Sequence, residues 1–340
     1  MSILKNGGTT IAYPQLPLAA RQLREPWIDA AKGLIIIAVV FFHFFCTSGV
    51  ASQLCDLMQW VMMPFFFLMA GYLYRPNVGY TMKRAKRLLL PLLTTITIIY
   101  LVFGNDGLLE GENEYVVLWF LPCLLIVQIV FSYLRLLLFP YQAGFILACF
   151  IAAHYIPPVL PPWGIDASLA ALYYYAIGYY SKNIIKNNKL ALFCLLTIIP
   201  FVAAQYWQLA YNTLDMKRLY FPNIYFDAIV PVIGSVIIFN IAGLLSRLKL
   251  LQYIGESSMM IYLFHCCILF NFNLSAYFQP MIANFILIFL AITIPFMTAL
   301  LLKNMSERIG SYQLFSLQNK IASNIKIDAN SLWQKIRTFL

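Results

Sequence analysis

The feature that most constrains this chain is a succession of apolar runs of roughly 14 to 23 residues, separated by short polar connections, which together take up nearly all of its length. About 20 apolar residues in a helix cross the hydrocarbon core of a bilayer. Lipid offers the backbone no hydrogen-bond partners, so such runs are spanned as helices that satisfy their own N–H and C=O groups. The candidate spans are 33–50, 57–74, 88–103, 116–138, 141–156, 167–180, 190–206, 224–245, 253–272 and 283–302. The expected fold is therefore an all-α polytopic membrane protein of about ten transmembrane helices. Composition agrees: 62% of residues are hydrophobic and 11% charged, against about 25% charged in soluble domains.

The net charge of +10 would suit a nucleic-acid partner if the cations formed a patch. They follow topology instead. With the N-terminus in the cytoplasm, Arg75, Lys83, Arg84, Lys86, Arg87, Arg135, Lys182, Lys186, Lys189, Arg247, Lys249 and the basic C-terminal tail all fall inside. Lys217 and Arg218 are the exceptions. The outer connections carry Asp56, the loop of Asp106, Glu110, Glu112 and Glu114, then Asp166 and Asp215. Both termini are therefore expected in the cytoplasm, with no nucleic acid among the partners. The organisation expected is a cytoplasmic segment at 1–26, a membrane domain at 27–305 and an amphipathic tail at 306–340 lying on the inner membrane face. No cleavable signal peptide is expected, because the first 26 residues are polar.

Trp27, Trp60, Trp119, Trp163 and Trp207 lie near predicted span ends, where an aromatic belt would sit. Tyr173, Tyr174, Tyr175, Tyr179 and Tyr180 suit either a belt or a sugar-binding groove. The seven cysteines show no metal-ligand spacing and read as small buried hydrophobes, although Cys46 and Cys55 flank the first outer turn and could form a disulfide. No metal is expected.

Ionisable side chains inside a span are costly and mark functional candidates. Asp29, Lys32 and His43 share the first helix, and steps of 3 and 11 residues at about 100° each keep them on one face. At a rise of about 1.5 Å per residue His43 stands ~16 Å beyond Lys32, past the membrane centre. A snorkelling Lys32, a helix-start Asp29 and a structurally bonded His43 would explain the same pattern. In the ninth span Ser258, Tyr262 and His265 share a face, with Glu256 roughly opposite. His154 adjoins Pro157, Pro158, Pro161 and Pro162 and reads as a loop residue.

The run Trp27-Ile28-Asp29-Ala30-Ala31-Lys32-Gly33 followed by His43 resembles the opening signature of the acyltransferase 3 family of membrane O-acyltransferases. Similar strips follow in the family's order. They are Pro64-Phe65-Phe66-Phe67-Leu68-Met69-Ala70-Gly71-Tyr72-Leu73, then Arg84, Arg87 and Pro91, then Leu118-Trp119-Phe120-Leu121, then Tyr253 to Ser258 and Ile261-Tyr262-Leu263-Phe264-His265. Two positions depart from the pattern: Lys32 stands where Arg is usual, and Ala70 where Ser is common. Lysine offers a phosphate a point charge rather than a bidentate fork.

The resemblance implies transfer of an acyl group, usually acetyl, from cytoplasmic acyl-coenzyme A to a carbohydrate hydroxyl. His43 would then act as general base or carry the acyl group on a ring nitrogen, with Asp29 also in the catalytic set. Lys32, Arg84 and Arg87 would hold the coenzyme phosphates. Trp119, Glu256, Ser258, Tyr262 and His265 would bind substrate or support the site, with Glu256 near Arg84 or Arg87. Acetyl-coenzyme A is thus the expected co-substrate. The expected partners are a lipid-linked or nascent cell-surface polysaccharide, membrane lipids and a polysaccharide-synthesis complex, at a bacterial cytoplasmic membrane. Many members carry a soluble esterase-like domain after the membrane part; none is expected here, so transfer should be direct or through a separate protein. The rival readings are an exporter of polysaccharide intermediates and a non-catalytic scaffold.

Overall fold

A computed structural model describes residues 25–45, 52–75, 80–103, 119–155, 166–206, 214–217, 219–271, 274 and 277–310. Its helices are α1 (Pro26–Phe45), α2 (Ser52–Tyr72), α3 (Tyr80–Phe103), α4 (Phe120–Leu134), α5 (Phe139–Tyr155), α6 (Ala167–Tyr180), α7 (Asn188–Tyr206), α8 (Ile224–Leu244), α9 (Lys249–Glu256), α10 (Ser258–Asn271) and α11 (Pro280–Gly310). Among the described residues the one extended pairing is the bridge between Asp215 and Tyr220. The acidic loop expected at 106–114 lies outside the described residues, as does the expected amphipathic tail from residue 311 onward.

Three described helical stretches, Pro26–Phe45, Ile224–Arg247 and Pro280–Leu302, are long and apolar enough to cross a membrane. Shorter apolar helices include Phe120–Leu134 and Ser258–Ile268. The outer surface is apolar where a soluble protein would be polar: Leu90, Leu93 and Leu101 on α3, Leu192, Phe193 and Leu196 on α7, and Phe285, Phe289 and Leu301 on α11 are exposed. Lipid is the medium that covers such faces without cost.

Two elements differ from the sequence expectation. The first helix begins at Pro26, ahead of the apolar span expected at 33–50, and ends at Phe45, with proline at a position where its missing N–H is not needed. The expected ninth span is two helices, α9 and α10, parted at Ser257.

Glycines set the closest crossings. A Cβ on Gly255 of α9 would lie 1.7 Å from the Asp29 carbonyl oxygen of α1, and one on Gly33 would lie 2.3 Å from the Leu251 carbonyl oxygen. The α2–α6 crossing repeats the device, with a Cβ on Gly71 or Gly178 falling 1.9 Å from a backbone oxygen of the facing helix. Lipid tails are as apolar as leucine, so helices in a membrane gain most by such close backbone approach. The most extensive contacts of α1 are with α9, and α8, α10, α11 and α2 also pack against it.

The aromatic residues expected in a belt are largely core. Trp27, Trp60 and Trp119 are buried, because each lies edge-on or stacked against other rings: Trp27 against Tyr72 and Phe239, Trp60 against Phe226, and Trp119 against Phe67 and Phe120. Trp163 and Trp207 lie outside the described residues. Tyr174 and Tyr175 are fully buried, whereas Tyr180 is exposed and its hydroxyl donates to Gln142. Cys55 is disulfide-bonded; Cys46, its expected partner, lies outside the described residues.

Candidate active site

Helix α1 carries two polar centres, one near each end. At its start Lys32 Nζ lies 3.3 Å from Asp29 Oδ1, one helical turn back. Asp29 is buried while Lys32 keeps a quarter of its side chain exposed. Around this end Lys186 Nζ sits 3.9 Å over the Trp27 ring and 3.7 Å from Glu25 Oε2. Lys182 donates to the Tyr74 carbonyl and lies 4.6 Å from the Tyr179 ring centre. Burial, and behind it the Arg75 charge, holds the Lys182 ammonium below its usual range. This end of the bundle is therefore basic. Arg84 and Arg87 belong to the first turns of α3, and their side chains lie outside the description, as does any pairing of theirs with Glu256. Glu256 is half-buried at the last residue of α9.

Near the other end of α1, His43 meets α10. Its ring centre lies 5.2 Å from that of His265. His265 is fully buried, and its Nδ1 lies 3.0 Å from the Ile261 carbonyl oxygen and 2.8 Å from that of Tyr262. Two acceptors at Nδ1 make that nitrogen the donor, which leaves the lone pair on Nε2. Nε2 in turn lies 3.3 Å from Cys266 Sγ. One donor atom each from His43, His265 and Cys266 falls within 4.8 Å of the others. Two imidazoles and a thiol are also a donor set for a soft or borderline metal ion, so this trio is where the sequence expectation of no metal meets its sharpest question. Tyr262 is buried, its ring 6.1 Å from His265 and 5.5 Å from Phe120, and Phe120 in turn packs against the buried Trp119. Ser258 is half-buried at the opening of α10.

Of the residues singled out in the sequence, the fold brings His43 against His265, which Tyr262 flanks in turn, and Asp29 with Lys32 and the α9 backbone. It keeps these two groups apart. Asp29 and His43 are 14 positions apart on one straight run of helix, about 21 Å along the axis. Asp29 does not orient His43; the neighbour that does stand against it is His265.

His154 is not a loop residue. It ends α5 with its side chain almost fully buried, Nδ1 2.8 Å from the Phe150 carbonyl oxygen and Nε2 3.1 Å from Asp227 Oδ2 on α8. The Trp60 indole N–H approaches the same carboxylate without reaching hydrogen-bond geometry. Asp227 is wholly buried and also accepts the Asn223 backbone N–H at 3.2 Å. The pair clamps α5 to α8. Cys266 and Asp227 are the residues sequence reasoning missed: the first read as one more apolar cysteine, and the second was not singled out, its partner His154 lying 73 residues away.

A histidine pair, His43 half-buried and His265 fully buried, thus sits among apolar helices about 21 Å along α1 from the Asp29–Lys32 pair, about two-thirds of a membrane thickness. The chain matches the acyltransferase domain family model over residues 25–302, and it belongs to that family of acyltransferases. No curated protein and no solved structure matches it.

Proposed function

We propose that this membrane O-acyltransferase moves an acetyl group from acyl-coenzyme A, bound at the basic end, to a hydroxyl of a lipid-linked or nascent surface polysaccharide at the opposite face. The observation that carries this reading is the His43–His265 pair at 5.2 Å, set deep on the helix whose other end holds the Asp29–Lys32 pair. A phosphate-bearing donor suits Lys32, Arg84 and Arg87, because cations at an opening bind anions without a buried charge to neutralise. The acyl end of the donor then reaches inward toward His43, which takes the acceptor hydroxyl proton as that oxygen attacks the acyl carbon; the acyl–sulfur bond breaks and the departing thiolate takes the proton from His43. The basic end is the cytoplasmic one on the positive-inside rule. The disulfide at Cys55, beyond the far end of α1, suits an oxidising outer compartment.

The test is inverted membrane vesicles given labelled acetyl-coenzyme A, with label sought in surface glycan. His43→Gln keeps size and some hydrogen bonding but supplies neither a base nor a nucleophilic nitrogen. It should insert normally and lose about 10²–10⁴-fold of transfer, the usual contribution of general acid–base catalysis. A monodisperse His43→Gln protein with full activity removes the mechanism and moves the reading to an exporter.

A further inference from the structure

We propose that Cys266 carries the acyl group between donor and acceptor as a thioester, with His265 as its base. The proposal rests on the acyl-coenzyme A reading above.

Three observations place the chemistry. The thiol Sγ lies 3.3 Å from His265 Nε2, within the reach that a nucleophile and its base require. The tautomer is settled by the carbonyl oxygens of Ile261 and Tyr262, which take the Nδ1 proton and leave Nε2 free to accept one from sulfur. His43 contributes a further ring nitrogen within 4.8 Å of the same group of atoms, so an acyl group on sulfur stands where a second imidazole can serve the incoming hydroxyl. A cysteine in apolar surroundings is ordinarily inert, and an adjacent base is what makes it a nucleophile. Cys123, Cys194 and Cys266 are all buried, and of these Cys266 alone has an imidazole hydrogen-bonded to it among the described residues.

The steps balance. His265 Nε2 takes the Cys266 proton, and the thiolate attacks the thioester carbonyl of the donor. A new sulfur–acyl bond forms as the coenzyme sulfur–acyl bond breaks, and the departing coenzyme thiolate takes the proton back from His265. In the second half His43 takes the acceptor hydroxyl proton, the oxygen attacks the Cys266 thioester, and an ester forms as the sulfur–acyl bond breaks. The His43 proton then returns to Cys266. Nothing is oxidised or reduced, and the first half exchanges one thioester for another. The relay lets donor and acceptor react in turn, so the two need not be bound at the same time.

The experiment uses the full chain in detergent or nanodiscs, with radiolabelled acetyl-coenzyme A, no acceptor, rapid acid quench and peptide mapping by mass spectrometry. Wild type and Cys267→Ala should each take up close to one acetyl group per chain on Cys266, released by neutral hydroxylamine. Cys266→Ala should take up none and lose about 10²-fold or more of overall transfer. Cys266→Ser, nearly isosteric, should fold as wild type with transfer equally depressed, which separates a lost nucleophile from lost packing. Label mapped to His43, or transfer within twofold of wild type in Cys266→Ala or Cys266→Ser, overturns the relay and leaves the acetyltransferase reading intact. No acetyl transfer by wild type to any glycan acceptor overturns that reading itself.

Discussion

Replacing Gly255 by alanine adds one methyl group where the structure has no space for it. The new Cβ would lie 1.7 Å from the Asp29 oxygen, 2.6 Å from the Asp29 carbonyl carbon and 2.9 Å from the Gly33 nitrogen. Real Cβ contacts stay beyond 3.0 Å, so the shortfall is at least 1.3 Å (3.0 minus 1.7), and every neighbour is backbone that cannot rotate aside. Helices α1 and α9 must part by about that amount. A gap of 0.5–1 Å already forfeits a quarter to a half of each dispersion contact, and overpacking costs about 1–3 kcal/mol, the upper end applying here. Alanine returns up to about 1 kcal/mol through helix propensity. Gly243→Ala, with nothing within 4 Å of its new Cβ, has the gain without the cost. The two variants should differ by about 3 kcal/mol, Gly255→Ala below wild type and Gly243→Ala level with it or above. Unfolding midpoints in nanodiscs measure this, and activity should fall with Gly255→Ala because Asp29 moves. Equal midpoints for the two variants would refute the backbone-contact reasoning.

Breaking the buried clamp by Asp227→Ala or His154→Leu should cost about 3–5 kcal/mol, since each leaves a buried polar partner uncompensated. The double variant should recover part of that loss in the same unfolding assay; strict additivity would show the pair is not coupled. Arg84→Gln or Arg87→Gln should weaken coenzyme A binding by about 10- to 150-fold, the equivalent of about 1.5–3 kcal/mol for one charge-assisted phosphate contact. Thermal stabilisation by coenzyme A reports this, and equal stabilisation in wild type and both variants would reduce the arginines to topology anchors.

The helical architecture was legible because lipid makes each crossing an apolar run, and the polar connections between runs mark its ends. The break at Ser257 was not, since the flanking residues are apolar enough to read straight through, although Gly255, Glu256, Ser257 and Ser258 in succession are a poor helix interior. The tryptophans near span ends satisfy a belt pattern and a core pattern equally, and only their partners separate the two. His43 was legible as an intramembrane ionisable residue. Its meeting with His265 was not, because 222 positions separate them and helical periodicity speaks only within one helix. His154 was misread for the same reason: the prolines beside it are local, whereas Asp227 is 73 residues away.

The placement of α1 also sets an order of events during synthesis. This helix enters the membrane first, yet the elements that cover its polar face, α9 and α10, lie at residues 249–271. More than 200 residues must follow Phe45 before they exist, roughly 10–40 s of elongation at 5–20 residues per second. Through that interval Asp29, Lys32 and His43 stand in the bilayer without their final neighbours. A nascent chain halted after α8 would therefore present the quality-control machinery with an exposed ionisable stripe, and one completed through α10 would hide it.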